Sequence, residues 1–255
     1  MIHVPTAPWA HLVFDLAAWG SGTALSVLLY RWRLQPYSPA RVPKIDGRYF
    51  VALAAGAIPG AWLAGSLVSL RGAHPALSHS VVGALAGAIV GVEIYKARRG
   101  VTVSTGGVFV GPFALGVVVG RLGCFFSGIV DGTYGSPTST PWGVDLGDGI
   151  SRHPVQIYES GAMAVFLAIY LEGLARHRSW ALRRGFYLMC VWYGAQRFVW
   201  EFLKPYPPVW GPFNLFHILC GGLVGYGWLY YRRDQRRELA QERALPVPRP
   251  DHQPV

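Results

Sequence analysis

Long apolar stretches, separated by connections bearing arginine and proline, limit what this chain can fold into more than any other feature. A helix needs roughly 20 mostly apolar residues to cross about 30 Å of hydrocarbon, and about seven such stretches occur. They run from Leu12 to Tyr30, Tyr49 to Leu70, Ser80 to Tyr95, Gly107 to Ile129, Val155 to Leu174, Gly185 to Phe202 and Phe213 to Tyr231. With 52% hydrophobic and only 14% charged residues, the chain is too apolar for an ordinary soluble domain. The expected fold class is all-α, a polytopic membrane protein with about seven transmembrane helices, because helices satisfy their own backbone groups in lipid. Residues 1–235 read as that domain and 236–255 as a disordered tail, Pro-rich from Leu245 to Val255.

Met1 to Leu12 carries no lysine or arginine, so the first apolar stretch lacks the basic opening of a removable signal peptide and is expected to stay. The cysteines, Cys124, Cys190 and Cys220, sit inside apolar segments with neither metal-ligand nor disulfide-framework spacing. No metal or soluble cofactor is expected.

A formal charge of +10 invites a nucleic-acid reading, but the basic residues recur at alternate connections instead of forming one patch. Arg31, Arg33, Arg41, Lys44 and Arg48 follow the first stretch, and Lys96, Arg98 and Arg99 the third. Arg176, Arg178, Arg183 and Arg184 follow the fifth, and Arg232, Arg233, Arg236 and Arg237 the last. Positive residues mark cytoplasmic loops, so the amino terminus is expected outside and the carboxyl-terminal tail in the cytoplasm, with no nucleic-acid partner. The connection from Asp131 to Arg152, with three aspartates and several turn residues, then lies outside.

This topology gives each intramembrane polar residue a depth. Asp15, His79, His153, Gln156, Glu159, Asn214 and His217 fall near the starts of inward-running helices. Arg121, Arg197 and Glu201 fall toward the ends of outward-running ones, so all share the outer half. A charge at the bilayer centre costs about 2.5–3.5 kcal/mol on insertion scales, and a cluster at one level therefore suggests a site. Glu93 and Lys96, at the other level, form an i,i+3 pair with a structural reading.

Tyr193, Arg197 and Glu201 are spaced by four and share one helix face. Glu201 neutralising Arg197 would be a purely structural account of them, but Arg121 adds a second guanidinium at the same depth. Two arginines there suit the phosphate of a lipid, which accepts paired hydrogen bonds from guanidinium groups. His153-Pro154-Val155-Gln156 places proline in the first turn of the fifth helix, whose free amides favour an anion. The spaced pairs Gly56/Gly60, Gly83/Gly87/Gly91, Gly116/Gly120 and Gly221/Gly225 read as close helix packing, and Trp142, Trp200 and Trp210 as interfacial anchors.

Gly120-Arg121-Leu122-Gly123-Cys124-Phe125, with Gly128 and Gly132, resembles the signature of the prolipoprotein diacylglyceryl transferases. His153-Pro154-Val155-Gln156-Ile157-Tyr158-Glu159 is similar to that family's HPxQLYE segment, and Tyr193, Arg197 and Glu201 match its YxxxRxxxEF pattern. Cys124, Ser127 and Ile129 stand where better-known members have Asn, Asn and Glu; Val82 stands at their helix-three His and Trp19 at their helix-one Tyr. The resemblance implies a catalytic domain in the bacterial cytoplasmic membrane with its site facing outward. The implied reaction moves the diacylglyceryl group of phosphatidylglycerol onto the lipobox cysteine thiol of a prolipoprotein, giving a thioether and glycerol phosphate.

Under that resemblance Arg121 and Arg197 hold the phosphate, Glu201 orients Arg197, and Gln156 and Tyr193 contact the head group. Tyr158, Glu159, Gly120, Gly123 and Gly132 line the substrate through the matched motifs. His153, His79 and His217 are the candidate bases, His79 on the condition that the chain before Val82 is helical, while Cys124 reads as a small core residue. Two alternatives stay open. One is a small-solute transporter, which would favour inverted repeats that the sequence does not show. The other is an inactive relative that binds phosphatidylglycerol or lipoprotein precursors.

Overall fold

A computed structural model describes residues 2–71 and 77–244. Seven α-helices dominate them: α1 (Ala10–Leu29), α2 (Arg48–Ser69), α3 (Val81–Arg99), α4 (Val110–Ser127), α5 (Val155–Ala175), α6 (Ser179–Glu201) and α7 (Leu215–Ala244). Each coincides with an apolar stretch of the sequence. Four regions, Ala10–Arg41, Arg48–Ser69, Gly107–Asp131 and Val155–Ala175, are long and apolar enough to cross a membrane. The other three helices, α3, α6 and α7, carry the charges that the sequence groups near a site and at the basic connections.

Local chemistry explains the ends. Ser80, extended at φ −137°, caps α3 by accepting from the Gly83 amide at 3.3 Å. Gly100, at φ +66°, closes the same helix in the left-handed region, where a side chain would be strained. Lys96, Arg98 and Arg99 in its last turn complement the helix dipole. At the start of α7, Asn214 Oδ1 accepts from the His217 amide at 3.1 Å, while the Asn214 amide donates to His217 Nδ1 at 3.1 Å.

The helices pack chiefly as α2 on α3, α1 on α4 and α6 on α7, with α5 joining α4 to α6. Glycine decides the first contact. A Cβ on Gly56 would lie 2.1 Å from the Gly87 carbonyl oxygen, and one on Gly87 would lie 2.2 Å from that of Gly56. The backbones of α2 and α3 therefore touch, as the glycine spacing anticipates. Gly116, Gly120, Gly221 and Gly225 differ: a Cβ at any of them meets nothing within 4 Å. The close approach of α6 to α7 is made instead at Gly194 and Gly227.

Departures from the expected architecture are small. A two-residue parallel pairing of β1 (Ile2–His3) with β2 (Val144–Asp145) ties the amino terminus to the long connection after α4. The last helix continues to Ala244, so the first part of the tail expected from residue 236 is helical. Residues 245–255 lie outside the described residues.

Apolar side chains remain outside the bundle, among them Leu12, Leu16 and Trp19 on α1 and Ile58, Leu63 and Leu67 on α2. Only 17% of the apolar window in each of those helices is buried, so lipid, not protein, is their natural surround.

Candidate active site

The site begins with Glu159, on the first turns of α5, whose side chain is wholly buried. One of its oxygens, Oε2, receives Arg121 Nε at 2.5 Å from α4 and Arg197 Nη1 at 3.1 Å from α6. The other, Oε1, receives Lys204 Nζ at 2.5 Å. Glu201, one turn beyond Arg197, takes Arg197 Nη2 at 2.8 Å and lies 3.5 Å from Lys204 Nζ. Asn214 Nδ2 donates to the remaining Glu201 oxygen at 3.2 Å.

Three cations thus face two carboxylates, all with relative exposures of 8% or less. A buried cluster with one excess positive charge is costly unless an anion completes it. Around it, Tyr193 Oη, both ends of the Gln156 amide and Arg197 Nε are buried without a hydrogen-bond partner among the described residues. Buried polar groups are almost always paired, so these atoms are available to hydrogen-bond a ligand or water.

The fold brings together Arg121, Arg197, Glu159, Glu201 and Tyr193 of the residues singled out in the sequence, with Gln156 buried one turn before Glu159 on α5. Four others take positions of their own. His79 precedes the Ser80 cap and is outside the helix, with its ring 5.9 Å from that of Trp62, so the helical register that would carry it toward the site does not exist. His217 caps α7 and lies among Phe198, Phe202 and Phe213. His153 and Tyr158 form an outer aromatic group, with His153 Nδ1 3.4 Å from Tyr158 Oη and Trp142 Nε1 donating to that hydroxyl at 2.8 Å.

Among the glycines, Gly123 lets Phe14 of α1 approach, since a Cβ there would lie 2.7 Å from Phe14 Cβ. Gly120 has open space beside it, and Gly132, at φ +70°, offers its carbonyl to the Tyr206 hydroxyl at 3.4 Å. Lys204 is the residue that sequence reasoning missed. It lies three residues beyond Glu201, so extending the helix-six spacing by one more turn would have found it.

A cavity of about 320 Å³ runs beside α3 from Val81 to Lys96, lined also by residues of α2, α4, α6 and α7. Its walls are almost wholly apolar, and Phe113, on its lining, meets Tyr193 edge-on at 5.1 Å between ring centres. At its far end Lys96 Nζ binds Glu93 at 2.8 Å, as the i,i+3 spacing anticipates, and the Tyr226 hydroxyl donates to the same oxygen at 2.9 Å.

In the connection after α4, Asp145 Oδ1 accepts from the amides of Gly147 and Gly149, each at 2.9 Å. These backbone hydrogen bonds, with His3 beside the other oxygen, hold the Asp145 carboxyl below its ordinary value.

Comparison with known proteins places this arrangement. The family model described as prolipoprotein diacylglyceryl transferase matches residues 16–232. A Bordetella parapertussis protein named phosphatidylglycerol–prolipoprotein diacylglyceryl transferase is 33% identical over 152 residues, covering 58% of this chain and 54% of that protein. Proteins of the same name from Solidesulfovibrio magneticus and Cupriavidus metallidurans are 35% and 37% identical over 130 and 101 residues, covering 48% and 38% of this chain and 42% and 36% of theirs. The chain thus spans about half the length of the curated relatives it matches, or less. No solved structure matches. The extent of the family match, over nearly the whole helical bundle and both arginines of the buried cluster, shows that this chain belongs to the prolipoprotein diacylglyceryl transferase family.

Proposed function

We propose that this chain transfers the diacylglyceryl group of phosphatidylglycerol to the lipobox cysteine thiol of prolipoproteins, forming a thioether and releasing glycerol phosphate. The observation that carries this reading is the excess positive charge of the buried Arg121–Arg197–Lys204–Glu159–Glu201 cluster. The phosphodiester of phosphatidylglycerol carries the single negative charge that balances it.

The chemistry follows from the leaving group. As the bond between the glyceryl carbon and the phosphate oxygen breaks, charge grows on that oxygen, and fixed guanidinium groups stabilise it most where water is excluded. Arg121 and Arg197 take this role, with Tyr193 and Gln156 as head-group contacts. Glu159 and Glu201 orient the arginines. The cavity along α3 supports the reading, being apolar, long and adjacent to Tyr193, as an acyl chain requires. Val81 and Lys96 at its ends are separated by about 22 Å of helix at 1.5 Å per residue.

The basic connections support a topology in which seven helices span a bacterial cytoplasmic membrane with the amino terminus and the site on its outer side. The departures at Cys124, Ser127, Ile129 and Val82 favour a second reading, a relative that binds phosphatidylglycerol without chemistry. Purified protein in phosphatidylglycerol vesicles, mixed with a lipobox peptide, separates the two. The proposal expects a peptide mass increased by one diacylglyceryl group; lipid binding without that adduct supports the second reading, and neither result rejects both.

A further inference from the structure

Side chains from two distant parts of the chain meet beside the arginine cluster: His11 of α1 with Cys124 of α4 and Asp131 of the turn after α4. One ligand atom from each, a ring nitrogen, Sγ and a carboxylate oxygen, lies within 4.8 Å of the other two. His11 Nδ1 is 2.6 Å from Asp131 Oδ1, and His11 Nε2 is 3.2 Å from Asp15 Oδ2. The Thr133 hydroxyl donates to the second Asp131 oxygen. Cys124 Sγ lies 3.9 Å from Arg121 Nη1.

We infer that His11 Nδ1, Cys124 Sγ and Asp131 Oδ1 form a binding site for a divalent transition-metal ion of the zinc class. Imidazole, thiolate and carboxylate are the donors such an ion takes, at about 2.0–2.3 Å. Tetrahedral bonds of that length set the donor atoms about 3.3–3.8 Å apart, so the His11–Asp131 hydrogen bond must open and the side chains shift by up to about 1 Å to take the ion. The surroundings are those of a built site. A metal-bound histidine usually gives its other ring N–H to a carboxylate, which Asp15 supplies, and ligating carboxylates are themselves hydrogen-bonded, which Thr133 supplies. Thiolate and carboxylate together bring two negative charges, which a divalent cation balances. The positive charge of Arg121 is already engaged by Glu159 at 2.5 Å.

Three protein ligands leave a fourth position for a substrate. The His11 side chain retains 34% of its accessibility, which gives an approach to the ion. The consequence for catalysis rests on the function proposed above. An acceptor thiol bound at the fourth position loses its proton to solvent, because a coordinating thiol is held as thiolate. Its sulfur then attacks the glyceryl carbon attached to the phosphate oxygen. A carbon–sulfur bond forms, the carbon–oxygen bond breaks, and the electron pair stays on the phosphate oxygen beside the arginines. Nothing is oxidised or reduced. Cys124 thereby becomes a ligand and not only a small core residue.

The test is titration of the purified, metal-stripped full chain in detergent with Co²⁺, whose thiolate charge-transfer band reports a sulfur ligand directly. The site predicts the band at about one ion per chain, its loss in Cys124→Ser, and its retention in Cys190→Ser, which alters a thiol in the bundle core. Asp15→Asn, which keeps all three ligands, weakens binding about 10- to 100-fold. Absence of the band in the wild-type chain, or a band of equal strength in Cys124→Ser, overturns the site. Transfer to a lipobox peptide that disappears on chelation and returns with Zn²⁺ supports the catalytic role. Transfer that persists in metal-free protein removes that role while leaving the proposed function standing; a cobalt band without transfer under any condition does the reverse.

Discussion

Arg121 and Arg197 meet on a single oxygen of Glu159, one reaching it through Nε at 2.5 Å and the other through Nη1 at 3.1 Å. Two residues on different helices are thereby fixed at one level, which is the geometry that a shared anionic ligand requires. The same carboxylate also holds Lys204.

Replacing Arg197 by lysine keeps the charge but loses the fork that joins Glu159 to Glu201. Transfer to a lipobox peptide is expected to fall by roughly 10²–10³, the effect of removing one preorganised donor, in both Arg197→Lys and Arg121→Lys. Rates within a fewfold of wild type would remove these residues from the chemistry.

Glu159→Gln leaves three buried cations facing one carboxylate. The expected cost is about 3–5 kcal/mol, as for other buried ion pairs broken from one side. Adding Lys204→Met to Glu159→Gln should recover part of it, because the pair is coupled. Thermal unfolding in detergent measures both, and additive losses would refute the coupling.

Close packing at α2 and α3 predicts that Gly87→Ala destabilises by about 1–3 kcal/mol, since the new Cβ would strike the Gly56 carbonyl. Gly221→Ala, with nothing near its Cβ, should stay within about 0.5 kcal/mol. Equal effects at the two positions in the same unfolding assay would contradict the packing described.

The Asp145 carboxyl, held below its ordinary value by the Gly147 and Gly149 amides, stabilises the folded connection fully above the normal carboxylate range. That contribution is lost as pH falls through the lowered value. Release of the amino-terminal segment to an acid-active protease should therefore increase as the pH falls below about 5, with a smaller change in Asp145→Asn. An identical acid response in both proteins would show that this carboxyl does not hold the tether.

Much of the bundle is legible in the sequence because long apolar runs mark helices, and each of the seven runs coincides with a helix. The Arg197–Glu201 pair is legible for a similar reason, since i,i+4 residues share a face. Glu159 is different: it is 38 positions from Arg197, and no local period links them. The same holds for His11 and Asp131, separated by 120 positions. His79 was misplaced because the Ser80 cap starts α3 after it, and a cap competes with helix continuation. Gly221 and Gly225 have the spacing of a packing motif but face open space, so spacing alone did not tell which side of α7 meets α6.

The proposed joint grip of Arg121 and Arg197 on one phosphate is tested most directly by phosphatidylglycerol affinity in a double-mutant cycle. Binding of a fluorescent phosphatidylglycerol to wild type, Arg121→Ala, Arg197→Ala and the double variant gives the coupling. If both hold the same group, each single change removes most of the binding and the double change adds little beyond either. Independent losses that multiply, or single variants that bind as tightly as wild type, would contradict the shared site.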